Sequence, residues 1–299
     1  MITAIKGVRV RRAAAVVVTT GAMIATGVVG SAPAQAAVAK PTLNAKGAFV
    51  INPATGRSFG KTATTPRATG STTKIMTAKV VLSQKNLNLD AKVTVAGAYS
   101  DYIVKNGASS ARLIVGDKVT VRQLLYGLML PSGCDAAYAL ADKFGTGSTR
   151  AARVKSFIGK MNSTAKSLGM TNTKFDSFDG ISNGTNQSSP KDLTTLARSV
   201  MKNSTFKTIV KTVTTKQKVT TKSGGYRYYT WENTNKPLLT TYNGTIGIKT
   251  GSGTEAKYCL VFAATRNGKT IYGTVLTATS ADARLADAKK LLNYGFAAL

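Results

Sequence analysis

Residues 71–82 read STTKIMTAKVVL: a serine, a lysine three positions later, and then a run of apolar residues. The apolar run predicts a buried helix over this range. Side chains three positions apart on a helix share one face, with their Cβ atoms about 5–6 Å apart. A lysine buried beside another cation loses its proton readily and can deprotonate a serine, while free N–H groups at a helix start bind a developing oxyanion. A serine and a lysine placed in this way, here Ser71 and Lys74, are one means of activating a hydroxyl, although a purely structural role is the more common one for a single pair.

Serine followed by lysine at this spacing occurs four times, so the spacing alone is weak support. The tetrad at 163–166 falls within a predicted surface helix, and the one at 188–191 reads as a capped helix start that contains a proline. The tetrad at 204–207 lies next to a lysine-rich stretch. Only residues 71–74 lead into an uninterrupted apolar helix, which would bury the lysine.

The composition excludes several classes of mechanism. The chain has no histidine, which excludes a Ser-His-Asp or Cys-His mechanism and most zinc sites. Its two cysteines, Cys134 and Cys259, cannot hold a structural zinc by themselves, and its only glutamates are Glu232 and Glu255. We therefore expect no metal and no cofactor, and acid–base chemistry that relies on lysine, tyrosine, aspartate or hydroxyl groups.

Residues 1–36 have the composition of an export signal. Basic residues at positions 6–12 precede a small apolar segment, residues 13–29, and residues 34–36 (Ala-Gln-Ala) match the A-x-A cleavage pattern. An uncleaved anchor is the alternative, but a bilayer span usually takes about 20 apolar residues, and threonine and glycine dilute this short segment. The pair Arg11-Arg12 is weak evidence for a twin-arginine signal. We expect an exported, extracytoplasmic protein, secreted or peripherally bound at the membrane or cell wall.

The remaining 263 residues suit one large domain or two closely joined lobes. Without the four basic residues of the signal, 37 basic residues face 12 acidic ones, a net charge of about +25. A basic exported protein is attracted to anionic partners such as wall polymers and lipid headgroups. Because the lysines are scattered and no basic motif interleaved with aromatic residues occurs, we do not expect nucleic-acid binding.

The apolar pattern predicts strands at both ends of the chain and helices between them, an α+β arrangement. The predicted strands cover residues 47–52, 213–221, 226–231, 245–249, 256–265 and 270–279, with hairpin turns at 223–225 and 266–269. The predicted helices cover residues 71–82, 120–130, 135–144, 149–168, 189–201 and 281–296, while residues 99–118 read as a loop. In the last helix, balanced charges favour a core-facing apolar stripe over a membrane-surface one.

Two further motifs follow the first along the chain: Ser132-Gly133-Cys134 after a proline, and Lys249-Thr250-Gly251 at the end of a predicted strand. S-x-x-K, S-x-x and K-T-G in this order are the signature of penicillin-binding proteins and class A β-lactamases. From about Ala48 onward the chain resembles the serine-type D-alanyl-D-alanine carboxypeptidases and DD-transpeptidases, the low-molecular-mass penicillin-binding proteins. Residues 172–180 (NTKFDSFDG) and 189–193 (SPKDL) share the resemblance. The chain is most similar to the small DD-transpeptidase variant with Ser-Gly-Cys in place of Ser-x-Asn.

The resemblance implies a catalytic role for three residues. Ser71 would be the acylated nucleophile, Lys74 its general base, and Ser132 the relay that passes a proton to the leaving amine. Lys249 would add positive charge that helps Lys74 lose its proton. The alternative for Lys249 is an ordinary exposed strand lysine.

The resemblance also implies substrate-binding roles around the K-T-G motif. Lys249 and Thr250 would hold the substrate's terminal carboxylate, and Gly251 would leave the strand edge open to the substrate backbone. The backbone N–H groups of Ser71 and Ser252 would form the oxyanion hole, where each donor typically contributes ~3 kcal/mol.

Cys134 departs from the family pattern, in which asparagine usually contacts the catalytic lysine and the substrate. Its S–H group is a weak donor, so substrate binding is expected to change more than the serine–lysine chemistry. As a nucleophile it has no histidine partner, and Asp135 is expected to raise its pKa. A disulfide with Cys259 is the alternative for an exported protein. We favour two unpaired cysteines, since Cys259 lies in an apolar predicted strand.

The function implied by the resemblance is an exported serine DD-peptidase that acts on peptidoglycan stem peptides ending in D-Ala-D-Ala. It would form an acyl-serine intermediate, transfer the acyl group to an amine or water, and be acylated by β-lactams. One alternative is a β-lactamase, which is disfavoured because neither Glu232 nor Glu255 lies in the helical middle of the chain. The other alternative is a non-catalytic protein that binds wall polymers through a degenerate site.

The implied architecture is that of penicillin-binding proteins and serine β-lactamases: an antiparallel five-stranded sheet covered by helices, with an inserted all-helical lobe. We expect residues 37–299 to form a single catalytic domain. Its sheet lobe would comprise about 37–95 and 205–299, and its helical lobe about 96–204. We expect a monomer without the additional β domain of many relatives, whose membrane association would be peripheral.

Overall fold

The computed structural model describes residues 38–299, so the predicted signal, residues 1–36, lies outside the described residues. The strands, in chain order, are β1 (Gly47–Ile51), β2 (Ser58–Lys61), β3 (Arg67–Ala68), β4 (Lys92–Thr94), β5 (Lys118–Thr120), β6 (Gln187–Ser188), β7 (Thr214–Thr220), β8 (Tyr226–Glu232), β9 (Thr245–Gly253), β10 (Lys257–Arg266) and β11 (Lys269–Ala278). The α-helices are α1 (Lys74–Leu82), α2 (Gly97–Asn106), α3 (Val121–Met129), α4 (Cys134–Phe144), α5 (Arg150–Ser167), α6 (Pro190–Val200), α7 (Ser204–Lys211), α8 (Lys236–Thr241) and α9 (Ala281–Ala298).

The main sheet has five antiparallel strands in the order β2-β1-β11-β10-β9. Alternate residues of a strand point to opposite faces, and β10 is apolar on both sides. Its Leu260 and Phe262 join the hydrophobic cluster that contains Leu291 of α9, whereas Val261 joins the larger cluster that contains Leu196 of α6. The sheet is thus covered by helices on both faces, which confirms the predicted α+β fold and the core-facing stripe of the last helix.

A second sheet of four strands, in the order β4-β5-β7-β8, lies outside the main sheet. The hairpin predicted at residues 213–231 forms as β7 and β8, with Thr214 opposite Glu232 and Thr220 opposite Tyr226. It pairs with β5 through Lys118 and Thr220 rather than extending the five-stranded sheet.

The expectation of a loop over residues 99–118 is wrong, because α2 occupies Gly97–Asn106. Tyr99 is the one buried residue of this helix, and Val104 is 83% exposed, so its sequence carries little helical periodicity. Gly107, with φ of +53°, ends the helix in the left-handed conformation that glycine adopts readily. Helices α7 and α8, of eight and six residues, are also additions to the predicted set.

The predicted helix at residues 71–82 begins as a 3₁₀ turn, Gly70–Thr73, which continues directly into α1. This turn packs against β9, the edge strand of the main sheet. A Cβ atom at Gly251 would lie 2.7 Å from the carbonyl oxygen of Thr69 and 3.1 Å from the backbone nitrogen of Thr72. Gly251 therefore permits the helix start to approach the strand closely. This packing requires glycine here in addition to the expected role of Gly251 in leaving the strand edge open to substrate. Among the helices within residues 38–299, none has the length and hydrophobicity of a membrane span.

Candidate active site

The structure brings Ser71 and Lys74 together at the junction of the 3₁₀ turn and α1. The Lys74 Nζ atom donates a hydrogen bond of 2.8 Å to Ser71 Oγ and one of 2.9 Å to the carbonyl oxygen of Asp179. Lys74 is completely buried. Asn186 fixes the turn, since its amide donates to the hydroxyls of Thr69 and Thr73 at 2.8 and 2.9 Å. The hydroxyl and its predicted base therefore meet in a rigid, water-poor setting.

Two glycines allow the backbone to close tightly around Ser71. Gly70 has φ of +49°, and a Cβ atom there would lie 3.0 Å from the backbone nitrogen of Ser252. Gly180 has φ of +98°, and a Cβ atom there would lie 2.0 Å from the carbonyl oxygen of Gly70 and 3.1 Å from the backbone nitrogen of Ser71. The backbone nitrogens of Ser71 and Ser252, whose N–H groups are expected to form the oxyanion hole, thus both lie next to Gly70.

Ser132 lies just before α4 in a left-handed conformation, with φ of +65°. Such a conformation costs a residue with a Cβ atom about 1 kcal/mol or more. Its carbonyl oxygen accepts a hydrogen bond of 2.6 Å from Ser109 Oγ. The Ser132 hydroxyl oxygen is buried and has no hydrogen-bond partner within residues 38–299. The turn thus holds a hydroxyl whose hydrogen-bonding capacity is unused.

Asp135, next to the motif, holds the preceding loop in place. Its carboxylate accepts hydrogen bonds from Ser110 Oγ at 2.7 Å, from the backbone nitrogen of Ala111 at 2.8 Å and from that of Leu113 at 3.1 Å. These bonds link the 108–115 region to the start of α4 and so position Ser132.

Both cysteines are free and buried, as expected. Burial is the largest cause that raises the pKa of Cys134, with Lys74 opposing this and Asp179 reinforcing it. The pKa of Cys134 is raised as expected, and the carboxylate among its main causes is that of Asp179. Burial also raises the pKa of Cys259 to about 11. Cys134 Sγ lies 3.5 Å from Ser109 Oγ.

Lys249 is 1% exposed, so the alternative of an exposed strand lysine is wrong. Its Nζ atom donates to the carbonyl oxygen of Thr250 at 3.1 Å. Burial, followed by the positive charge of Lys74, holds the pKa of Lys249 well below its ordinary value, and Arg284 adds to this effect. Lys249 therefore holds its proton less firmly than an exposed lysine does.

The neighbourhood of Thr250 is polar and contains a further cation. Thr250 Oγ1 and Thr234 Oγ1 are hydrogen-bonded at 2.6 Å. Arg284 of α9 donates weakly, at 3.4 Å, to the carbonyl oxygens of Gly251 and Cys259, and burial lowers its pKa. This part of β9 thus combines a hydroxyl pair with positive charge, which suits a carboxylate.

A groove of about 500 Å³ adjoins the nucleophile. Gly70, Gly180, Asn106, Ser252 and Glu255 are among the residues that line it. Glu255 therefore lies beside the site. The sequence analysis placed Glu255 outside the helical middle of the chain and did not predict this position.

Several functional residues were not predicted. Asp179 contacts Lys74 through a backbone carbonyl, which any residue type carries, so its sequence gives no signal for this role. Burial, followed by the nearby Asp179 carboxylate, raises the pKa of Tyr102, which lies on the unpredicted helix α2. The segment NTKFDSFDG, which contains Asp179 and Gly180, shares the resemblance to the family, but the sequence analysis assigned no role to its residues. Ser109, Thr234 and Arg284 were not singled out either.

Comparison with known proteins identifies the family of the chain. The family model described as D-alanyl-D-alanine carboxypeptidase matches residues 34–280. A D-alanyl-D-alanine carboxypeptidase from Streptomyces sp. strain K15 is 66% identical over 97% of this chain and 99% of its own length. One from Bacillus subtilis is 31% identical over 84% of this chain and 62% of its own length.

Solved structures show the same similarity. The crystal structure of the Streptomyces K15 DD-transpeptidase superposes with a TM-score of 0.85 at 68% identity, covering 87% of this chain and all of that one. A penicillin-binding protein homologue from Mycobacterium tuberculosis gives a TM-score of 0.75 at 27% identity, covering 88% of this chain and 95% of that one. The penicillin-binding-protein fold inferred from the motif order is thereby confirmed. The chain belongs to the D-alanyl-D-alanine carboxypeptidase family of serine peptidases.

Proposed function

We propose that the enzyme cleaves the terminal peptide bond of D-Ala-D-Ala stem peptides through an acyl-serine intermediate on Ser71. The observation that carries this proposal is the 2.8 Å hydrogen bond between buried Lys74 Nζ and Ser71 Oγ. In a chain without histidine, this pair supplies the hydroxyl and the amine that acyl transfer requires.

The proposed first step forms a bond between Ser71 Oγ and the carbonyl carbon of the penultimate D-Ala. Lys74 acts as the general base and takes the hydroxyl proton across its 2.8 Å contact with Ser71 Oγ. The oxyanion is held by the N–H groups of Ser71 and Ser252, whose closeness is supported by the packing of Gly70.

In the second step, the bond to the leaving D-Ala breaks. Ser132 relays the proton from Lys74 to the departing amine, a role supported by its buried and unpartnered hydroxyl. Water or an acceptor amine then attacks the acyl-serine and restores the Ser71 hydroxyl. We propose that Lys249 and Thr250 bind the substrate's terminal carboxylate, and that Cys134 lines the site without acting as a nucleophile.

We also propose that β-lactams acylate Ser71, since their strained amide presents a carbonyl to the same nucleophile. Residues 1–36 would direct export, and the mature enzyme would act outside the cytoplasm as a monomer. Residues 38–299 form one compact unit, which supports a single catalytic domain. The division into a sheet lobe (37–95 and 205–299) and a helical lobe (96–204) is supported by the concentration of helices between Gly97 and Val200.

Mass spectrometry after exposure to benzylpenicillin tests the nucleophile. We expect one adduct on the peptide that contains Ser71, and none in Ser71→Ala. Ser163→Ala, in the tetrad on α5, is the matched control and should keep full acylation. An adduct on another serine, or none on the wild-type protein, would contradict the proposal.

Product analysis with a D-Ala-D-Ala-terminated peptide tests the reaction itself. Release of D-Ala in water indicates carboxypeptidation, and a new peptide bond formed with an added amine indicates transpeptidation. Rapid release of hydrolysed penicillin would instead support a β-lactamase. D-Ala release by Ser71→Ala at the wild-type rate would refute the acyl-serine mechanism.

A further inference from the structure

One face of the four-stranded sheet carries basic residues on three of its four strands. Residues directly opposite each other in an antiparallel pair share a face. The register places Lys118 opposite both Thr94 and Thr220, and it places Lys218 opposite Tyr228. Alternation along each strand then assigns a common face to the residues Lys92, Thr94, Lys118, Lys216, Lys218, Tyr226, Tyr228 and Thr230. All of them are exposed.

The tyrosines and lysines of β7 and β8 form an ordered array on this face. Lys218 Nζ lies 4.0 Å from the ring centroid of Tyr226, and Lys216 Nζ lies 4.5 Å from that of Tyr228. The two rings contact each other edge to face, with centroids 5.8 Å apart. Tyr226 is 64% exposed and Tyr228 is 49% exposed, so large aromatic surfaces stand in solvent beside the ammonium groups.

The opposite face of the sheet explains why these residues are not needed for folding. Val93, Val119, Val219 and Trp231 point inward and belong to the main hydrophobic cluster. Trp231 Nε1 also donates to the carbonyl oxygen of Ala111 at 2.8 Å. The fold is held by this inner face, which leaves the chemistry of the outer face free to serve binding.

The charge of this face favours an anionic partner. Four lysines lie on the face, and its one acid, Glu232 at the far end of β8, is paired with Lys236 at 2.7 Å. Lysines attract a surface of anionic lipid, and tyrosine prefers the boundary between lipid headgroups and water. Four strands about 4.8 Å apart make a broad face rather than a narrow channel, which suits a planar surface better than a linear polymer.

We propose that this face, defined by Lys92, Lys118, Lys216, Lys218, Tyr226 and Tyr228, docks the enzyme on an anionic phospholipid surface. The lysines would approach the phosphates, and the two tyrosine rings would enter the headgroup region. The proposal goes beyond the acyl-transfer reaction and does not depend on it.

Sedimentation with vesicles tests the proposal, using the purified protein with phosphatidylcholine alone or mixed with phosphatidylglycerol. We expect binding to the anionic vesicles at low salt, little binding to the neutral ones, and loss at high salt because salt screens exposed charges. In Lys216→Gln/Lys218→Gln, binding should fall about 25-fold, since each basic residue near an anionic membrane contributes about a factor of five.

Two comparison variants separate this face from general charge. Lys155→Gln/Lys166→Gln removes the same charge from exposed positions of α5 and should keep most of the binding. Tyr226→Ser/Tyr228→Ser keeps the charge and should weaken binding with an unchanged salt dependence. All three variants should be acylated by benzylpenicillin at the wild-type rate, which shows that they are folded.

Equal losses in the α5 and sheet variants would overturn the proposal, because net charge alone would then explain binding. Unchanged vesicle binding in Lys216→Gln/Lys218→Gln would also overturn it. The proposal would be overturned as well if Lys216→Gln/Lys218→Gln lost binding to soluble polyphosphate but kept binding to vesicles, since that result would assign the face to a phosphate polymer.

Discussion

Gly180→Ala tests the backbone packing that positions the oxyanion donors. Alanine at this position would place its Cβ atom 2.0 Å from the Gly70 carbonyl oxygen, whereas ordinary contact begins at 3.4 Å. The two segments must separate by roughly the 1.4 Å difference between these distances. Because Gly70 precedes Ser71, this movement displaces both the nucleophile and its backbone N–H group.

A misplacement of about 1 Å can reduce an enzymatic rate by about 100-fold. We therefore expect the rate constant for acylation by benzylpenicillin to fall about 100-fold in Gly180→Ala. The same movement should weaken the packing of the 3₁₀ turn and lower the melting temperature.

Gly184→Ala is the matched control. Gly184 lies in the same loop with φ of +105°, close to the +98° of Gly180, but a Cβ atom there meets no atom within 4 Å. Both variants thus carry the cost of alanine at a positive φ, about 1–2 kcal/mol, and only one carries the clash. Stopped-flow acylation of protein that retains native circular dichroism gives the comparison. Equal acylation rates for the two variants would refute the proposed link between Gly180 and the oxyanion donors.

Three further predictions concern charge, loop anchoring and the buried thiols. Because the pKa of Lys249 is lowered in the folded protein, the unfolded chain binds more protons than the folded one below pH 10.5, the ordinary pKa of lysine. The free energy of unfolding of the wild type, relative to that of Lys249→Met, should therefore rise with pH towards 10.5, by at most about 1.4 kcal/mol per pH unit. Urea denaturation at several pH values measures this difference, and a difference that falls with pH would contradict the prediction. Asp135→Ala removes the three hydrogen bonds from the 108–115 region and a fourth from the backbone nitrogen of Ala136, and it leaves buried N–H groups unpaired. The free energy of unfolding should therefore fall by about 3 kcal/mol in urea denaturation, whereas a change below about 1 kcal/mol would contradict the anchoring role. Because burial raises the pKa of Cys259 to about 11, its alkylation at pH 8 should be about 200-fold slower in the folded than in the unfolded protein by mass spectrometry, and equal rates would refute its burial.

The order of three short motifs was enough to predict the family and the fold class, and it singled out Ser71 and Lys74, whose side chains are hydrogen-bonded in the structure. Ser71 and Lys74 are three positions apart, so helix geometry alone brings them together. Apolar periodicity located most strands and helices because their inner faces are buried. Helix α2 escaped this reasoning, since it buries little more than Tyr99 and leaves Val104 in solvent.

The contacts that complete the site come from distant parts of the chain and use groups without a sequence signature. Lys74 donates to the carbonyl oxygen of Asp179, 105 residues later, and any residue could supply that atom. Gly180 and Gly70 approach each other because both lack a side chain, which becomes visible only when the two segments are placed. The burial of Lys249 likewise depends on packing across β9 rather than on its neighbours in sequence.

The position of β1 in the main sheet constrains how the chain can fold during synthesis. Gly47 pairs with Leu276, 229 positions later, and β1 is otherwise bonded only to β2. At about 5–20 residues per second, a ribosome needs roughly ten to fifty seconds between making β1 and β11. During that interval one edge of β1 has unpaired backbone groups, a template for pairing with other chains. Nascent chains of this enzyme should therefore depend on chaperones until β11 emerges, and chains stalled before it should be prone to aggregate.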